Sequence, residues 1–424
     1  MRPAPARANQ EVLPIVPSSW SKSEPYSPNP GAATVRVLVV DDSAFMRKVV
    51  SSILASAPGI EVVATARDGE DALAKVPELQ PDVITLDLEM PRMDGMAFLE
   101  ALMRLRPTPV VMVSSQTSEG ADKTIACLQR GAVDFVCKPS GAISLNMETV
   151  GEELIAKTRA AAKAHRCGLA GLVGRSASPP SAKTLPTAPS SASWFRPQDS
   201  LLGPGNAAAA PGSRACSPRH EHELNADTVV VAIASSTGGP AALEAILPHL
   251  PADLNAAYLM VQHLPANFTR SLAARLDSAC ALTVREAQAG ERPERGVVLL
   301  APGGRHLELD AQGRVALNDD PPLWGVRPAA DVMMRSAAAR FGPRVLGVVL
   351  TGMGCDGALG VKAIHAAGGL CLAQDEATSI IYGMPRAAYE TGALAQVVPL
   401  PDMAAAIVRQ ITSWPRRDKG ALNL

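Results

Sequence analysis

Asp41, Asp42, Asp87, Ser114 and Lys138 stand at the ends of successive apolar runs in the first third of this chain. Crowded carboxylates repel one another and gain stability by sharing a hard divalent cation such as Mg²⁺, which also neutralises an incoming phosphate. A carboxylate held there can attack phosphorus as a nucleophile. A serine hydroxyl can donate to a new phosphoryl oxygen, and a lysine ammonium can reach it as a point charge. Taken singly, Asp41 and Asp42 would cap the following helix and Asp87 would close a strand. Taken together, the set points to phosphoryl chemistry.

A second group lies farther on. Ala232-Ile-Ala-Ser-Ser-Thr-Gly-Gly-Pro240 follows an apolar strand and precedes helical spacing at Leu243, Ile246, Leu247 and Leu250. The turn at Thr237, Gly238 and Gly239 therefore presents backbone amides at a helix N-terminus, where negative charge is favoured. Phosphate binding and an oxyanion hole beside a nucleophilic serine both suit that arrangement, and the turn alone does not separate them.

A serine becomes a good nucleophile when a histidine takes its proton and a carboxylate orients the histidine. His263 ends the run Tyr258-Leu-Met-Val-Gln262, and Asp356 lies in the loop Thr351-Gly-Met-Gly-Cys-Asp-Gly357 after another apolar run. By itself His263 could simply cap a strand, and Asp356 could be a turn residue. Ser236 is preferred over Ser235 because adjacent residues at a strand end point oppositely and Ser236 abuts the glycines. The order Ser, His, Asp and the lack of a G-x-S-x-G elbow separate this group from α/β-hydrolases, chymotrypsin and subtilisin. His165, His220, His222 and His249 fall in the expected linker or outside any ligand spacing, which argues against a metallohydrolase. No Gly-Lys-Ser or Gly-Lys-Thr follows the turn, which weakens a nucleotide-binding alternative. A noncatalytic docking module is the remaining alternative for the second half.

The elements that must position these residues are α/β. Val35–Val40 is β-branched and gives way to helical spacing at Met46, Val49, Val50, Ile53 and Leu54. Strands are expected near 62–66, 83–86, 110–113 and 134–136, with helices near 70–77, 95–104 and 120–130 between them. Five such units predict a doubly wound parallel sheet with helices on both faces; in the 2-1-3-4-5 order of such sheets strands one and three are neighbours and ligands bind beyond their carboxyl ends. A helix is expected to about residue 164. Strands near 227–234, 257–262, 297–301, 345–350 and 370–373 predict a second doubly wound, Rossmann-like domain. The expected division is a disordered tail over 1–33, a first domain over 34–150, a helix and long disordered linker rich in Pro, Ser and Ala over 151–225, a second domain over 226–415, and a tail over 416–424.

A chain of 424 residues with 47% apolar content has room for both cores. A net charge of −1 gives no long-range attraction to nucleic acid or anionic lipid. Seven cysteines without a C-x-x-C pair predict reduced thiols in the cytoplasm. The N-terminus lacks a signal-peptide pattern, and no apolar run approaches the ~18 residues needed to span a bilayer, so no direct membrane insertion is expected.

Val39-Val-Asp-Asp-Ser43, Leu86-Asp-Leu-Glu-Met-Pro91, Met93-Asp-Gly95 and Val136-Cys-Lys-Pro139 resemble a two-component response-regulator receiver domain. That resemblance implies phosphorylation of Asp87 by a histidine kinase, Mg²⁺ held by Asp41, Asp42 and Asp87, a switch hydroxyl at Ser114, and a phosphate contact from Lys138 before a cis bond to Pro139. Ser235-Ser-Thr-Gly-Gly-Pro240, Val261-Gln-His-Leu-Pro265, Leu300-Ala-Pro-Gly-Gly304, Leu350-Thr-Gly-Met-Gly354 and Ala373-Gln-Asp-Glu-Ala-Thr378 resemble the chemotaxis protein-glutamate methylesterase (CheB) family. This second resemblance implies Ser236 as nucleophile, His263 as base then acid, Asp356 as orienting carboxylate, and amides near Thr237 and Met353 as oxyanion donors. The implied reactions are demethylation of glutamate γ-methyl esters on methyl-accepting chemotaxis receptors and deamidation of certain glutamines there, with no cofactor at the hydrolase site. Cys355 stands where the family usually has Asn, and Ala234-Ser235 replaces Gly-Ala. The receiver is expected to pack near Ser236 until Asp87 is phosphorylated.

Overall fold

The computed structural model describes residues 34–115, 117–138, 146–167 and 224–414. The tails, the segment 168–223 and the expected cis bond at Pro139 lie outside the described residues.

In the first unit, β1 (Val35–Val40), α1 (Ala44–Ala55), β2 (Ile60–Ala66), α2 (Gly69–Leu79), β3 (Val83–Asp87), α3 (Gly95–Leu105), β4 (Val110–Ser114), α4 (Ser118–Gln129), β5 (Asp134–Cys137) and α5 (Asn146–Cys167) follow in order. The strands form one parallel sheet, β2-β1-β3-β4-β5, which is the expected order. β3 and β4 are buried throughout because helices cover both faces, so their sequences read as unbroken apolar runs. Side-chain caps start the helices: Ser43 accepts from Met46 N, Asp68 from Asp71 N and Asp94 from Ala97 N. Helix α5 packs across β3, β4, β5 and α1.

The second unit continues with β6 (Val229–Ser235), α6 (Gly239–Ile246), β7 (Ala256–Gln262), α7 (Phe268–Ala279), β8 (Thr283–Glu286), β9 (Val297–Leu300), β10 (His306–Leu309), β11 (Val315–Asn318), α8 (Ala330–Phe341), β12 (Val345–Val349), α9 (Ala358–Ala366), β13 (Leu370–Gln374), α10 (Met384–Glu390), β14 (Gln396–Val398) and α11 (Leu400–Thr412). Seven parallel strands run β14-β13-β12-β6-β7-β9-β8, and β10 and β11 form a separate antiparallel hairpin. β6 and β7 are buried along their whole length at the sheet's centre. β8, β10, β11 and β14 escape the sequence reading because they are three or four residues long and mostly lie at edges, where exposure interrupts the apolar pattern. The two units touch, α4 packing against α6 and α7. No helix among the described residues is long and apolar enough to cross a membrane.

Candidate active site and its switch

β1 and β3 are hydrogen-bonded neighbours, so Asp41 and Asp87 emerge side by side. Carboxylate oxygens of Asp41, Asp42 and Asp87 lie within 4.8 Å of one another. Asp41 Oδ1 accepts from Ser43 N at 2.9 Å, and Ser43 itself caps α1, which leaves Asp42 exposed at the rim. Asp41 Oδ2 is buried without a hydrogen bond, although Lys138 Nζ stands 3.2 Å away and approaches Asp87 Oδ2 to 2.8 Å. Burial lifts the Asp87 carboxyl above its ordinary range; Lys138 pulls the other way and the Asp41 charge adds to the lift. An all-oxygen set with one unsatisfied buried oxygen and one open side fits a hard divalent ion. Ser114 ends β4 close by, but its hydroxyl faces α4: Thr124 Oγ1 donates to it at 2.7 Å, and it donates toward Gly120 O at 3.4 Å.

In the second unit the strand register does the positioning. Ser235 pairs with Gln262, so the next residues, Ser236 and His263, leave adjacent strands together, and His263 N donates to Ser235 O at 3.1 Å. β12 flanks β6 on its other side and leads into the loop bearing Asp356. His263 Nε2–H donates to Asp356 Oδ2 at 2.7 Å, which leaves Nδ1 available. The buried Asp356 carboxylate also accepts from Ala330 N at 2.6 Å, Asp331 N at 2.8 Å and Gly357 N at 3.0 Å. Two of those amides belong to the first turn of α8, where the helix dipole favours an anion.

The two candidate serines separate by their partners. Ser235 is buried, and its hydroxyl donates to Gln262 Oε1 at 2.7 Å; the Gln262 amide then donates to Ser236 O at 2.9 Å. Ser236 is half-buried, and among the described hydrogen bonds none engages its hydroxyl, including any to His263. The Gly238 turn is left-handed, with φ of 77°. The loop 351–354 passes over the serine: a Cβ on Gly352 would lie 2.7 Å from Ser236 Cβ. Thr351 ties that loop down, accepting from Ser236 N at 3.0 Å and donating its hydroxyl to Thr237 O at 3.0 Å. Neither Thr237 N nor Met353 N is used in a described hydrogen bond, so both amides are free to donate.

The Thr237 side chain turns toward the first unit, where its hydroxyl donates to Asp134 Oδ2. Asp134 Oδ1 stands 3.1 Å from Lys157 Nζ, whose ammonium also donates to Phe135 O at 2.7 Å. Burial opposes the charge on Lys157, but Asp134 and Glu153 outweigh it and hold the ammonium above its ordinary pKa. Phe135 stacks on Phe268, ring centroids 4.5 Å apart. Ile380, packed against the first unit's apolar cluster, also abuts Gly238. Gln262, Asp134, Phe135 and Asp331 were not singled out from the sequence. Gln262 carried a signal as a polar residue closing a buried strand; the others act through partners distant in the chain.

Residues 231–407 match the CheB methylesterase family, and residues 37–148 match the response regulator receiver domain. The chain is 49% identical over 377 residues to a protein-glutamate methylesterase/protein-glutamine glutaminase of Symbiobacterium thermophilum, covering 89% of this chain and 97% of that one. It is 45% identical over 381 residues to the protein of the same name from Pyrococcus abyssi, covering 89% and 94%. A protein-glutamate methylesterase/protein-glutamine glutaminase 1 of Xanthomonas campestris pv. campestris is 44% identical over 379 residues, covering 88% and 96%.

A Cβ on Gly239 would fall 1.9 Å from Gln262 Oε1 and 2.9 Å from Ser235 Cβ. Gly239→Ala should therefore push Gln262 off both serines and cost about 1–3 kcal/mol, read as a lower urea midpoint of the catalytic unit.

Proposed function

This chain belongs to the CheB family of protein-glutamate methylesterase/protein-glutamine glutaminases, and from that premise we propose that it hydrolyses glutamate γ-methyl esters on methyl-accepting chemotaxis receptors and deamidates glutamines there. In this reading Ser236 Oγ attacks the side-chain carbonyl carbon and passes its proton to His263 Nδ1. Asp356 holds the ring and stabilises the imidazolium that forms. The amides of Thr237 and Met353 receive the developing oxyanion. His263 then protonates the departing methoxide or amine, so methanol or ammonia leaves and an acyl-serine remains. Water, deprotonated by His263, attacks that ester, and the same proton passes to Ser236 Oγ as the acyl bond breaks and glutamate leaves. The observation that carries the proposal is the 2.7 Å His263–Asp356 hydrogen bond formed beside a serine whose hydroxyl is uncommitted.

The receiver supplies control. Asp87 is the phosphoacceptor, a histidine kinase is the donor, and Asp41, Asp42 and Asp87 would hold the Mg²⁺ that neutralises the phosphoryl charge. A phosphoryl group on Asp87 offers acceptors to Lys138 and to the Ser114 hydroxyl, which in this conformation belongs to the α4 hydrogen bonds. Drawing Ser114 away loosens α4, whose outer face packs on α6 and α7. Before that event Asp134, Phe135 and α4 occupy the ground beside Thr237 that a receptor helix needs. Free thiols at Cys127, Cys137, Cys280, Cys355 and Cys371 support a reducing, cytoplasmic setting.

The decisive measurement is methanol release from a methylated receptor fragment, with and without a small-molecule phosphodonor. Ser236→Ala should lower release at least 10³-fold; retained release would move the nucleophile elsewhere. Asp87→Asn should keep basal release and lose stimulation, and a full response to the phosphodonor would refute the switch. Phe135→Ala removes the stack on Phe268 and should raise unstimulated release several-fold, while an unchanged basal rate would show that this contact does not restrain the enzyme.

A further inference from the structure

Behind the His263–Asp356 pair lies a second buried carboxylate, Asp331, that the reaction above does not use. Its side chain is fully buried in the first turn of α8. Oδ2 accepts from the indole Nε1 of Trp324 at 2.8 Å, and Oδ1 accepts from Gly360 N at 2.7 Å, in the first turn of α9. The same residue's backbone N–H donates to Asp356 Oδ1. Asp331 thus holds the orienting carboxylate through its amide and, through its side chain, the helix that begins just after Asp356. Trp324 supplies the third support: it takes the left-handed conformation (φ 56°) within a short bridge between Leu323 and Val326, which turns its half-buried indole onto Asp331.

A buried carboxylate beside another is costly, and a purely structural role would be filled more cheaply by a neutral side chain. Burial, and then the charge of Asp356, lift Asp331 to about 6, while Gly360 and Trp324 oppose the lift. The elements around α8 also carry Cys355 beside Asp356, His306 and Glu308 on β10, Lys362 on α9, and Arg344 beyond its C-terminal end. The Cys355 thiol is raised above its ordinary value by burial and by both carboxylates, so it adds no negative charge near neutral pH.

We propose that Asp331 is a positioning residue whose ionised carboxylate, held by Trp324 and Gly360, fixes the Asp356 loop and strengthens the proton affinity of His263. An anion behind Asp356 favours the imidazolium, the form that His263 takes when Ser236 gives up its proton. The inference rests on reading Ser236, His263 and Asp356 as the triad.

The test uses the full-length chain and methanol release from the methylated receptor fragment across pH, together with NMR titration of the His263 ring. Asp331→Asn removes the charge and should lower kcat at unchanged KM, and should move both the acid limb of kcat/KM and the His263 titration to lower pH by about half a unit or more. Trp324→Phe keeps the carboxylate but removes one donor to its anion, and should move both curves the same way by a smaller amount; it also covers the case in which Asp331→Asn fails to fold. Curves that coincide with wild type in the folded variants overturn the proposal even if activity falls, because loss of packing alone leaves the His263 titration in place. His263→Ala separates the two readings: if it stays active, the triad itself is wrong, whereas an inactive His263→Ala with unshifted Asp331→Asn curves removes only the role of Asp331.

Discussion

The parallel pairing of β12, β6 and β7 is the constraint on which the second unit depends. In a parallel sheet neighbouring strands end at the same edge, so three segments far apart in sequence deliver Ser236, His263 and Asp356 to one place. A slip of one residue in β7 would turn His263 to the opposite face. The register is pinned by burial on both faces and locked at the edge by Ser235, Gln262 and the Ser236 carbonyl. The bond that marks Ser235 as structural thus also levels the platform on which its neighbour stands.

The same logic operates in the receiver, with a different outcome. β1 and β3 bring like charges together, which would be unfavourable without Lys138 and a shared cation. The Asp356 carboxylate, by contrast, is surrounded by the amides of Ala330, Asp331 and Gly357 and by the His263 ring.

Long, buried elements were legible in the sequence because their apolar runs have one explanation each: β1, β3 and β4 in the receiver, and β6, β7 and β12 in the second unit. The parallel sheet of the receiver, with helices on both faces, followed from its alternation of strands and helices. The short edge strands β8 and β14 and the hairpin of β10 and β11 did not announce themselves, since segments of three or four residues are too short to show a period. Residues set at strand ends and glycine turns, such as Asp87, Ser236 and His263, could be nominated as site candidates from spacing. Asp134, Phe135, Gln262 and Asp331 could not, because what each does depends on a partner brought to it only by the finished fold.

The hydrogen bond from Thr237 to Asp134 and the stacking of Phe135 on Phe268 join the units beside the serine while leaving the strand register beneath untouched. In the proposed reading the receiver therefore competes with a receptor for the surface beside Ser236 rather than distorting the groups beneath it. Its restraint is a tax on apparent affinity, set by the fraction of molecules with the mouth uncovered. On that reading a bulky protein substrate bears the tax in full, whereas a small ester that slips past the receiver reaches Ser236 beside a His263–Asp356 pair already hydrogen-bonded.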